Sequence, residues 1–285
     1  NSEYFVSVRA TDIAGNVSQK LTGDGILIDL TLPLAGDVLD GNDEDALGDY
    51  QFTGSDTSLT GSWSNFGDNT SGIAGYEVAI DGGDTYAWTW VGDVDSKKIS
   101  GLDLNHGTIY HYSVRATDRA GNVSEASLSD GIYVDVQPPI SSVNMGQFYY
   151  NQESWDSEVR IFGTASDGEG ESGLLSVEIS IEDTVSSLYF NGSGWQSEAF
   201  WVVPDGTDSW SYGLSSNQLT DGHGYIVSSR ARDIVLNLQS EHGISRFTYD
   251  ASEPSTVFSI PNDFYNYEGW NVQAPIQGTS SDDFS

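Results

Sequence analysis

Acidic and amide side chains recur along the chain at fixed spacings. Asp12, Asp118 and Asp233 lie 106 and 115 residues apart. Two further sets keep those spacings, one of asparagines (Asn16, Asn122, Asn237) and one of aspartates (Asp29, Asp135, Asp250). Calcium prefers a shell of about six to eight carboxylate, amide and carbonyl oxygens. The recurring positions therefore indicate a structural cation site that is repeated along the chain.

Most of these positions belong to one repeated stretch of sequence. It reads YFVSVRATDIAGNVS at residues 4–18, YHYSVRATDRAGNVS at 110–124 and, in degenerate form, YIVSSRARDIVLNLQ at 225–239. A period above 100 residues is the length of a whole domain, so the chain is predicted to be a tandem array. The predicted boundaries are the last strands of a first domain (1–35), two complete domains (36–139 and 140–254) and the first strands of a fourth (255–285). The two end pieces are expected to be completed by strands beyond this chain or by a neighbouring molecule.

The repeated stretch predicts a strand followed by a tight turn. Aromatic and β-branched residues alternate with polar ones from Tyr110 to Ala116, which is typical of a half-buried strand. Gly121 and Asn122 tolerate positive φ, so the chain is expected to turn back there. No long stretch has helical periodicity, and 32 glycines suit a turn-rich, all-β protein. The predicted fold class is all-β with essentially no helix.

The motif Y-x-V-x-V-R-A-T-D-x-A-G-N-x-S at 4–18 and the Asp-x3-Pro spacing that ends at Pro33, Pro139 and Pro254 resemble a known family. They are similar to the tandem bacterial immunoglobulin-like (fibronectin type III-like) repeats of large extracellular adhesins or filaments. The segment IFGTASD at 161–167, followed by SGL at 172–174, is also similar to that family. The resemblance implies β-sandwich domains in which Tyr110 opens strand F as a tyrosine corner. In the third copy Val235-Leu236 replaces Ala-Gly, and we expect this change to weaken the turn and the ligand role of Asn237.

The resemblance also implies where the acidic residues meet. The B–C and F–G loops of such a sandwich lie at the pole where the chain enters, and strand G leaves at the other pole. The aspartate that ends one domain should therefore approach the acidic loops of the next. The resulting candidate calcium ligands are Asp29 with Asp68, Asp118 and Asn122; Asp135 with Asp167, Glu169, Glu171, Asp233 and Asn237; and Asp250 with Asp282. A simpler interpretation stays open, in which Asp118 and Asn122 only shape their turn by bonding local backbone.

A second candidate site is aromatic. Tyr86, Trp88 and Trp90 alternate along one stretch and would share one face of a strand. An exposed stripe of this kind could stack against sugar rings, whereas a buried one would belong to the sandwich core.

Composition excludes several classes of partner. The formal net charge is −33, from 10 Lys+Arg against 43 Asp+Glu. Nucleic acid and anionic membrane surfaces both need a basic patch, so neither is an expected partner. There is no cysteine, hence neither a disulfide nor a thiolate metal site, and the four histidines have no zinc-ligand spacing. No apolar run is long enough to cross a bilayer.

The sequence as a whole therefore predicts a structural or adhesive repeat region of an extracellular or cell-surface bacterial protein, with calcium stiffening a rod of immunoglobulin-like domains. Its expected partners are adjacent copies of the repeat, other chains of a filament and, if the aromatic stripe is exposed, glycans. The alternative is a carbohydrate-binding accessory or spacer region of a secreted polysaccharide-active enzyme. No nucleophile elbow, phosphate loop or HExxH motif occurs, so no catalysis is expected from this segment.

Overall fold

The computed structural model describes residues 2–41, 48–82, 87–158, 161–259 and 277–282. Two compact units divide the chain, Asn1–Gln137 and Pro138–Ser285. The first unit therefore includes both the N-terminal 35 residues and the sandwich that follows them. The finer division into four domains remains a prediction.

The first unit consists of strands joined by turns. They are β1 (Ser2–Tyr4), β2 (Ser7–Val8), β3 (Leu21–Thr22), β4 (Ile26–Ile28), β5 (Asp37–Gly41), β6 (Phe52–Thr53), β7 (Ser58–Ser64), β8 (Ile73–Asp81), β9 (Thr89–Gly92), β10 (Ser96–Ser100), β11 (Ile109–Asp118), β12 (Ser127–Leu128) and β13 (Ile132–Val134). Strand β1 pairs with β4 and β2 with β3, so residues 2–28 form a ribbon of two short antiparallel ladders.

Strands β5 to β13 form a sandwich of two sheets. One sheet has the order β10-β7-β5, and the other has the order β6-β13-β11-β8-β9 with β12 also paired to β11. This order corresponds to the immunoglobulin-like arrangement, with β8, β11 and β13 as strands C, F and G. The alternation predicted for 110–116 is confirmed, because Tyr110, Tyr112 and Val114 are fully buried between the sheets.

The second unit repeats this arrangement. Its elements are β14 (Ile140–Asn144), β15 (Tyr149–Tyr150), α1 (Gln152–Asp156), β16 (Ile161–Ser166), β17 (Leu174–Asp183), β18 (Leu188–Phe190), β19 (Trp195–Gln196), β20 (Ser209–Tyr212), a 3-10 turn (Ser216–Gln218), β21 (His223–Asp233), β22 (Gly243–Tyr249), β23 (Ser255–Ser259) and β24 (Gln277–Ser281). The sheets have the orders β14-β16-β20 and β15-β22-β21-β17-β18-β19, and β23 pairs with β24 as a separate hairpin. The all-β prediction is confirmed.

Helix α1 is the exception to the expected lack of helix among the described residues. Asn151 caps it, since its side chain accepts the backbone N–H of Ser154 while the Ser154 hydroxyl accepts the N–H of Asn151. The helix buries Trp155 against Tyr150 and Phe247. A single turn of helix is too short to leave a periodic signal in the sequence.

Both complete sandwiches contain the predicted tyrosine corner. The Tyr110 hydroxyl accepts the backbone N–H of Asn105 at 3.0 Å, and the Tyr225 hydroxyl accepts that of Thr220 at 2.7 Å. These bonds fix the entry of strands β11 and β21 and so place the turns at their far ends.

Candidate metal centre

Asp29 follows β4 and is held by the residue two positions later. Its Oδ1 atom accepts hydrogen bonds from the backbone N–H of Thr31 at 3.0 Å and from the Thr31 hydroxyl at 2.5 Å. This Asx turn fixes the carboxylate at the end of the first ribbon. Leu34 then bridges to Gly67, which brings the linker beside the loop between β7 and β8.

That loop carries Asp68. Its Oδ1 atom accepts the backbone N–H groups of Thr70, Ser71 and Gly72 at 3.0, 2.7 and 2.8 Å. Three N–H donors converge on one oxygen of Asp68 and so fix the loop around it. The Thr70 hydroxyl lies 3.4 Å from that of Thr31.

Asp118 ends β11 and organises the turn that follows. Its Oδ1 atom accepts the backbone N–H groups of Ala120 and Asn122, both at 2.8 Å. The Asn122 amide Nδ2 donates to Asp118 Oδ2 at 2.7 Å and to the backbone oxygen of Asp29 at 3.3 Å. Asn122 therefore directs N–H groups at both aspartates, and the turn-shaping role considered for this pair is confirmed.

The structure brings three of the predicted ligands together in the first unit. One carboxylate oxygen each from Asp29, Asp68 and Asp118 lies within 4.8 Å of the other two. Asp29 is only 6% exposed, and no donor meets hydrogen-bond geometry at its buried Oδ2 atom, although the Ser71 hydroxyl and N–H also help to lower the pKa of this carboxyl. A buried anionic oxygen without a donor is costly unless a positive charge compensates it.

The environment favours the ionised forms of two of these groups. The pKa of Asp29 is lowered, chiefly by the hydrogen bond from the Thr31 hydroxyl, which outweighs desolvation. For Asp118, desolvation is the largest single effect and raises the pKa. The hydrogen bonds from Asn122 and Ala120 together outweigh it, so the pKa of Asp118 is lowered overall. Asp29 itself opposes the ionisation of Asp118, which reflects how close the two carboxylates are.

The second unit repeats the two loop aspartates. Carboxylate oxygens of Asp167 and Asp233 lie within 4.8 Å of each other. Asp167 accepts the N–H of Gly173 at 2.7 Å, as Asp68 accepts that of Gly72. Asn237 donates to Asp233 through its backbone and its side chain, both at 2.7 Å, as Asn122 does to Asp118. Glu171 accepts the N–H of Gly168 at 2.7 Å.

The third turn keeps its hydrogen-bonded geometry although Val235-Leu236 replaces Ala-Gly, and the predicted weakening takes the form of backbone strain at Leu236. Leu236 adopts a φ of +74°, and the turn keeps the bonds from Asn237 to Asp233. Leucine here takes the left-handed conformation that Gly121 takes at +91°. The hydrogen-bonded Asp–Asn pair thus determines the geometry of the turn, with leucine absorbing strain that glycine would not have.

The three aspartates before the linkers share one local structure that the sequence analysis missed. As Asp29 does with Thr31, Asp135 Oδ1 accepts the N–H of Gln137 at 3.2 Å and Asp250 Oδ1 that of Ser252 at 3.1 Å. Asp135 is fully buried, whereas Asp250 is half-buried. The recurrent Asp could have predicted this turn, since the Asp side chain readily accepts a hydrogen bond from the backbone N–H two residues later.

Three predicted ligands fall outside any such cluster. Within the ranges that the structure describes, Glu169, Asp250 and Asp282 belong to no group of three potential ligand side chains. Glu169 is exposed. Conversely, Asp40, Asp49 and Asp130 form a cluster that the sequence analysis did not predict. Burial raises the pKa of Asp40 in this cluster, against the hydrogen bonds that it accepts from Ser129 and Gly131.

The aromatic stripe lies on the outer face of the first sandwich. Tyr86 is outside the described residues, and neither Trp88 nor Trp90 belongs to the hydrophobic core. The Arg115 guanidinium covers the Trp88 ring at 4.5 Å from its centroid, and Arg115 also binds Glu77 at 2.8 Å. Trp90 is 53% exposed and lies over Gly75. In the second unit Arg230 stacks on Trp201 at 4.1 Å and binds Glu178 at 2.8 Å.

Comparisons with known proteins add partial likenesses. No family model matches the chain. It is 30% identical to exoglucanase B of Cellulomonas fimi over 177 residues, which are 58% of this chain and 14% of that enzyme. The chain thus spans about one seventh of the length of this curated relative. Among the described residues, no helix is long and apolar enough to span a bilayer.

Among solved structures, the chain is similar to a Ca2+-stabilized adhesin with which an Antarctic bacterium binds ice, at 19% identity and a TM-score of 0.38, over 92% of this chain and 61% of that one. It is also similar to a 1.5-MDa bacterial ice-binding adhesin, at 19% identity and a TM-score of 0.42, over 88% and 75% of the two chains. A third likeness is to the fibronectin(III)-like modules of Clostridium thermocellum CbhA, at 16% identity and a TM-score of 0.33, over 75% and 94%. The chain's own strand orders show that its two described sandwiches are immunoglobulin-like.

Proposed function

We propose that the chain is a calcium-stiffened array of immunoglobulin-like repeats in an extracellular bacterial surface protein or filament, where it acts as a non-catalytic spacer or adhesive segment. The observation that carries this proposal is the buried, unpartnered Oδ2 atom of Asp29 beside the carboxylates of Asp68 and Asp118. Three hard oxygen donors suit Ca2+, and water and backbone carbonyls can complete its shell.

In this proposal the residues around the cluster have separate roles. Asp29, Asp68 and Asp118 bind the ion. Asn122 and Thr31 are positioning residues, because they donate to these carboxylates rather than offer oxygens to the cluster. Binding would join the residue that ends the first ribbon to two loops of the following sandwich, and so restrict the linker between them.

The internal repeat supports a second site of the same kind. Asp135 occupies the repeat position of Asp29, and Asp233 that of Asp118. Asp167 accepts a loop N–H in the manner of Asp68. We therefore extend the proposal to Asp135, Asp167 and Asp233, with Asn237 as the positioning residue.

Calcium titration of the full chain tests the proposal. After treatment with a chelator, the melting temperature should rise as calcium is added in the millimolar range, since extracellular modules bind with dissociation constants of about 10⁻⁴–10⁻³ M. Asp29→Asn should remove part of this rise. Asp24→Asn is the matched control, because it removes one charge from an exposed residue of the same ribbon that belongs to no cluster. Equal shifts in both variants, or no shift in the wild type, would overturn the proposal.

A second candidate function is supported by the exposure of Trp90. Its ring is accessible on a flat sheet face, and an aromatic ring of this kind can stack on a pyranose. The exoglucanase relative makes a glucan the first polysaccharide to test, and insoluble cellulose is a practical choice of glucan. Retention of the full chain on insoluble cellulose should fall in Trp90→Ala but less in Trp88→Ala, because Arg115 covers the Trp88 ring. Absence of retention in the wild type would exclude cellulose binding.

A further inference from the structure

The second unit has a cleft on its outer sheet face, at a place where the described residues of the first unit carry larger side chains. The cleft has a volume of about 370 Å³ and is lined by Phe148, Tyr149, Thr184, Gly224, Arg246 and Thr248, with contributions from Tyr225 and Phe247. This volume is near the lower end of the range of about 300–1,000 Å³ that small-molecule sites occupy. It suits one or two rings of a ligand.

The cleft results from small residues at positions that are large in the first unit. Gly224 pairs with Thr248, and Thr248 with Tyr149. At the same places in the first unit, Ile109 pairs with Tyr133 and Tyr133 with Phe52. Gly224 follows Ile109, and Thr248 follows Tyr133, by the repeat spacing of 115 residues.

Those larger residues fill the face of the first unit. The rings of Tyr133 and Phe52 meet edge to face with their centroids 5.7 Å apart, and the Ile109 side chain lies over Gly131. Gly131 is the counterpart of Arg246. The second unit has therefore lost bulk at two positions and gained a cation at a third.

The lining has the chemistry of a site for an acidic sugar. Phe148 and Tyr149 are 72% and 63% exposed, which is unusual for two adjacent aromatic residues and leaves ring faces open for stacking. Thr184 and Thr248 carry hydroxyls, and the Thr184 hydroxyl donates to the backbone oxygen of Gly224 at 2.9 Å, which leaves its oxygen able to accept.

Arg246 determines the charge of the occupant. It is exposed on β22 and makes no ion pair with any residue in the part of the chain that the structure describes. Glu182 shares its face but lies two strands away in register, which is roughly 10 Å. The net charge of the chain is −33, but at this cleft the exposed group is a guanidinium. A carboxylate on a ligand is its complementary partner, because a guanidinium can bind a carboxylate through two parallel hydrogen bonds.

We propose that this cleft binds a carboxylate-bearing saccharide, with Arg246 on the carboxylate, Phe148 or Tyr149 against the ring, and Gly224 providing the space. A peptide partner fits less well, because Thr184, Gly224, Thr248 and Arg246 interrupt any continuous apolar groove. The proposal does not depend on calcium binding in the first unit.

Titration calorimetry on the full chain with trigalacturonate tests this inference, in calcium-free buffer because galacturonate itself binds calcium. Trigalacturonate should bind at least about tenfold more tightly than neutral cellotriose. Arg246→Ala should weaken binding by about ten- to a hundredfold, the range expected for a lost charge-assisted pair. Arg9→Ala, which removes the same charge from an exposed residue of the first unit, should leave binding unchanged.

Gly224→Ile introduces the residue that the first unit holds at this position and should abolish binding, while its melting temperature shows that the variant is folded. Three results would overturn the proposal: equal affinity for charged and neutral saccharides, wild-type affinity in Gly224→Ile, or no binding at 10 mM ligand. Tighter, Arg246-dependent binding of an acidic peptide would also overturn it in favour of a protein partner.

Discussion

The two oxygens of the Asp29 carboxylate have different surroundings. Oδ1 is held by Thr31, whereas Oδ2 is buried beside two other carboxylates without a donor. Asparagine could reproduce the first contact but would place an N–H group where the second oxygen lies. A single-atom exchange at this residue therefore separates the local turn from the proposed metal binding.

The pH dependence of calcium binding follows from the same residues. The pKa values of Asp29 and Asp118 are lowered from 3.8, by the Thr31 hydrogen bond for Asp29 and for Asp118 by hydrogen bonds that outweigh desolvation. A carboxyl whose pKa is lowered on folding contributes stability at pH values above its pKa in the unfolded chain. That contribution is lost as the pH falls through its pKa in the folded protein. We expect calcium affinity, measured by titration calorimetry, to be constant between about pH 7 and 5 and to fall only below about pH 4.

The control for that experiment is the fold itself, followed by circular dichroism over the same pH range in the absence of calcium. A loss of affinity centred near pH 6 while the protein stays folded would contradict the prediction, because it would assign binding to a histidine or to a carboxylate with a raised pKa.

At the scale of single residues, recurrence in the sequence correctly predicted which aspartates lie close together. Asp118 and Asp29 were identified because each keeps the repeat spacing, and the structure brings both together with Asp68. The role of Thr31 was not foreseen, and neither was the orientation of Asn122, which presents its amide N–H rather than its oxygen to the two aspartates. Whether an amide presents oxygen or nitrogen to a neighbour depends on the rotamer that the whole turn imposes, and no spacing encodes it.

Among the elements, the turn between strands F and G shows that a side-chain pair can impose a backbone conformation. The turn at 233–237 keeps the bonds of the turn at 118–122 although Leu236 occupies the left-handed position. Leucine at a φ of +74° is strained by about 1–2 kcal/mol.

Leu236→Gly should therefore raise the free energy of unfolding, by about 0.5–1 kcal/mol after the greater flexibility of glycine in the unfolded chain is subtracted. Urea denaturation of the full chain measures this difference. Gly121→Ala is the converse variant and should destabilise the first unit, since a Cβ there meets open space and only the positive φ opposes it. Destabilisation by Leu236→Gly would mean that leucine makes contacts worth more than its strain.

The tyrosine corners stabilise the same strands at their other end. Tyr110→Phe leaves the backbone N–H of Asn105 without its acceptor and should lower the free energy of unfolding by about 1–2 kcal/mol. Tyr225→Phe should act alike through Thr220. Tyr189→Phe is the control, because the Tyr189 hydroxyl makes no hydrogen bond within the described ranges. A similar loss in all three variants would show that the corner bond is not the cause.

Local elements were predictable where the signal lies within one stretch. Strand F, its turn and its tyrosine corner are encoded by residues 104–122 alone. The outward placement of Trp88 and Trp90 could not be predicted from the sequence, because alternation assigns two residues to one face without saying which face is buried. Their outward orientation depends on β9 pairing with β8, in which Trp90 lies opposite Glu77. The opening at Gly224 likewise becomes visible only when the two units are compared strand by strand.

For the molecule as a whole, charge is the dominant feature. A net charge of −33 over 285 residues opposes compaction through self-repulsion. Ions can relieve this repulsion either by general screening, which depends on ionic strength, or by binding at defined clusters, which depends on the identity of the ion.

These two effects can be separated by comparing salts. Sodium chloride should raise the melting temperature gradually over hundreds of millimolar, whereas a few millimolar calcium chloride should exceed the effect of sodium chloride at equal ionic strength. Magnesium chloride at the same concentration should be less effective, because Mg²⁺ demands a stricter octahedral shell and dehydrates reluctantly. Equal shifts for calcium, magnesium and sodium at matched ionic strength would leave only screening.

The position of Asp29 has a consequence for how such a chain can grow. The aspartate precedes β5, whereas the loops of Asp68 and Asp118 follow it, so the cluster draws on both sides of a linker. An in-frame tandem duplication that begins and ends in linkers copies one set of acidic loops and one terminal aspartate together. Every added copy would therefore bring a complete set of carboxylate oxygens to its new linker, and the loss of one copy would leave the clusters at the other linkers intact. Gene length could then vary among strains without any compensating point mutation.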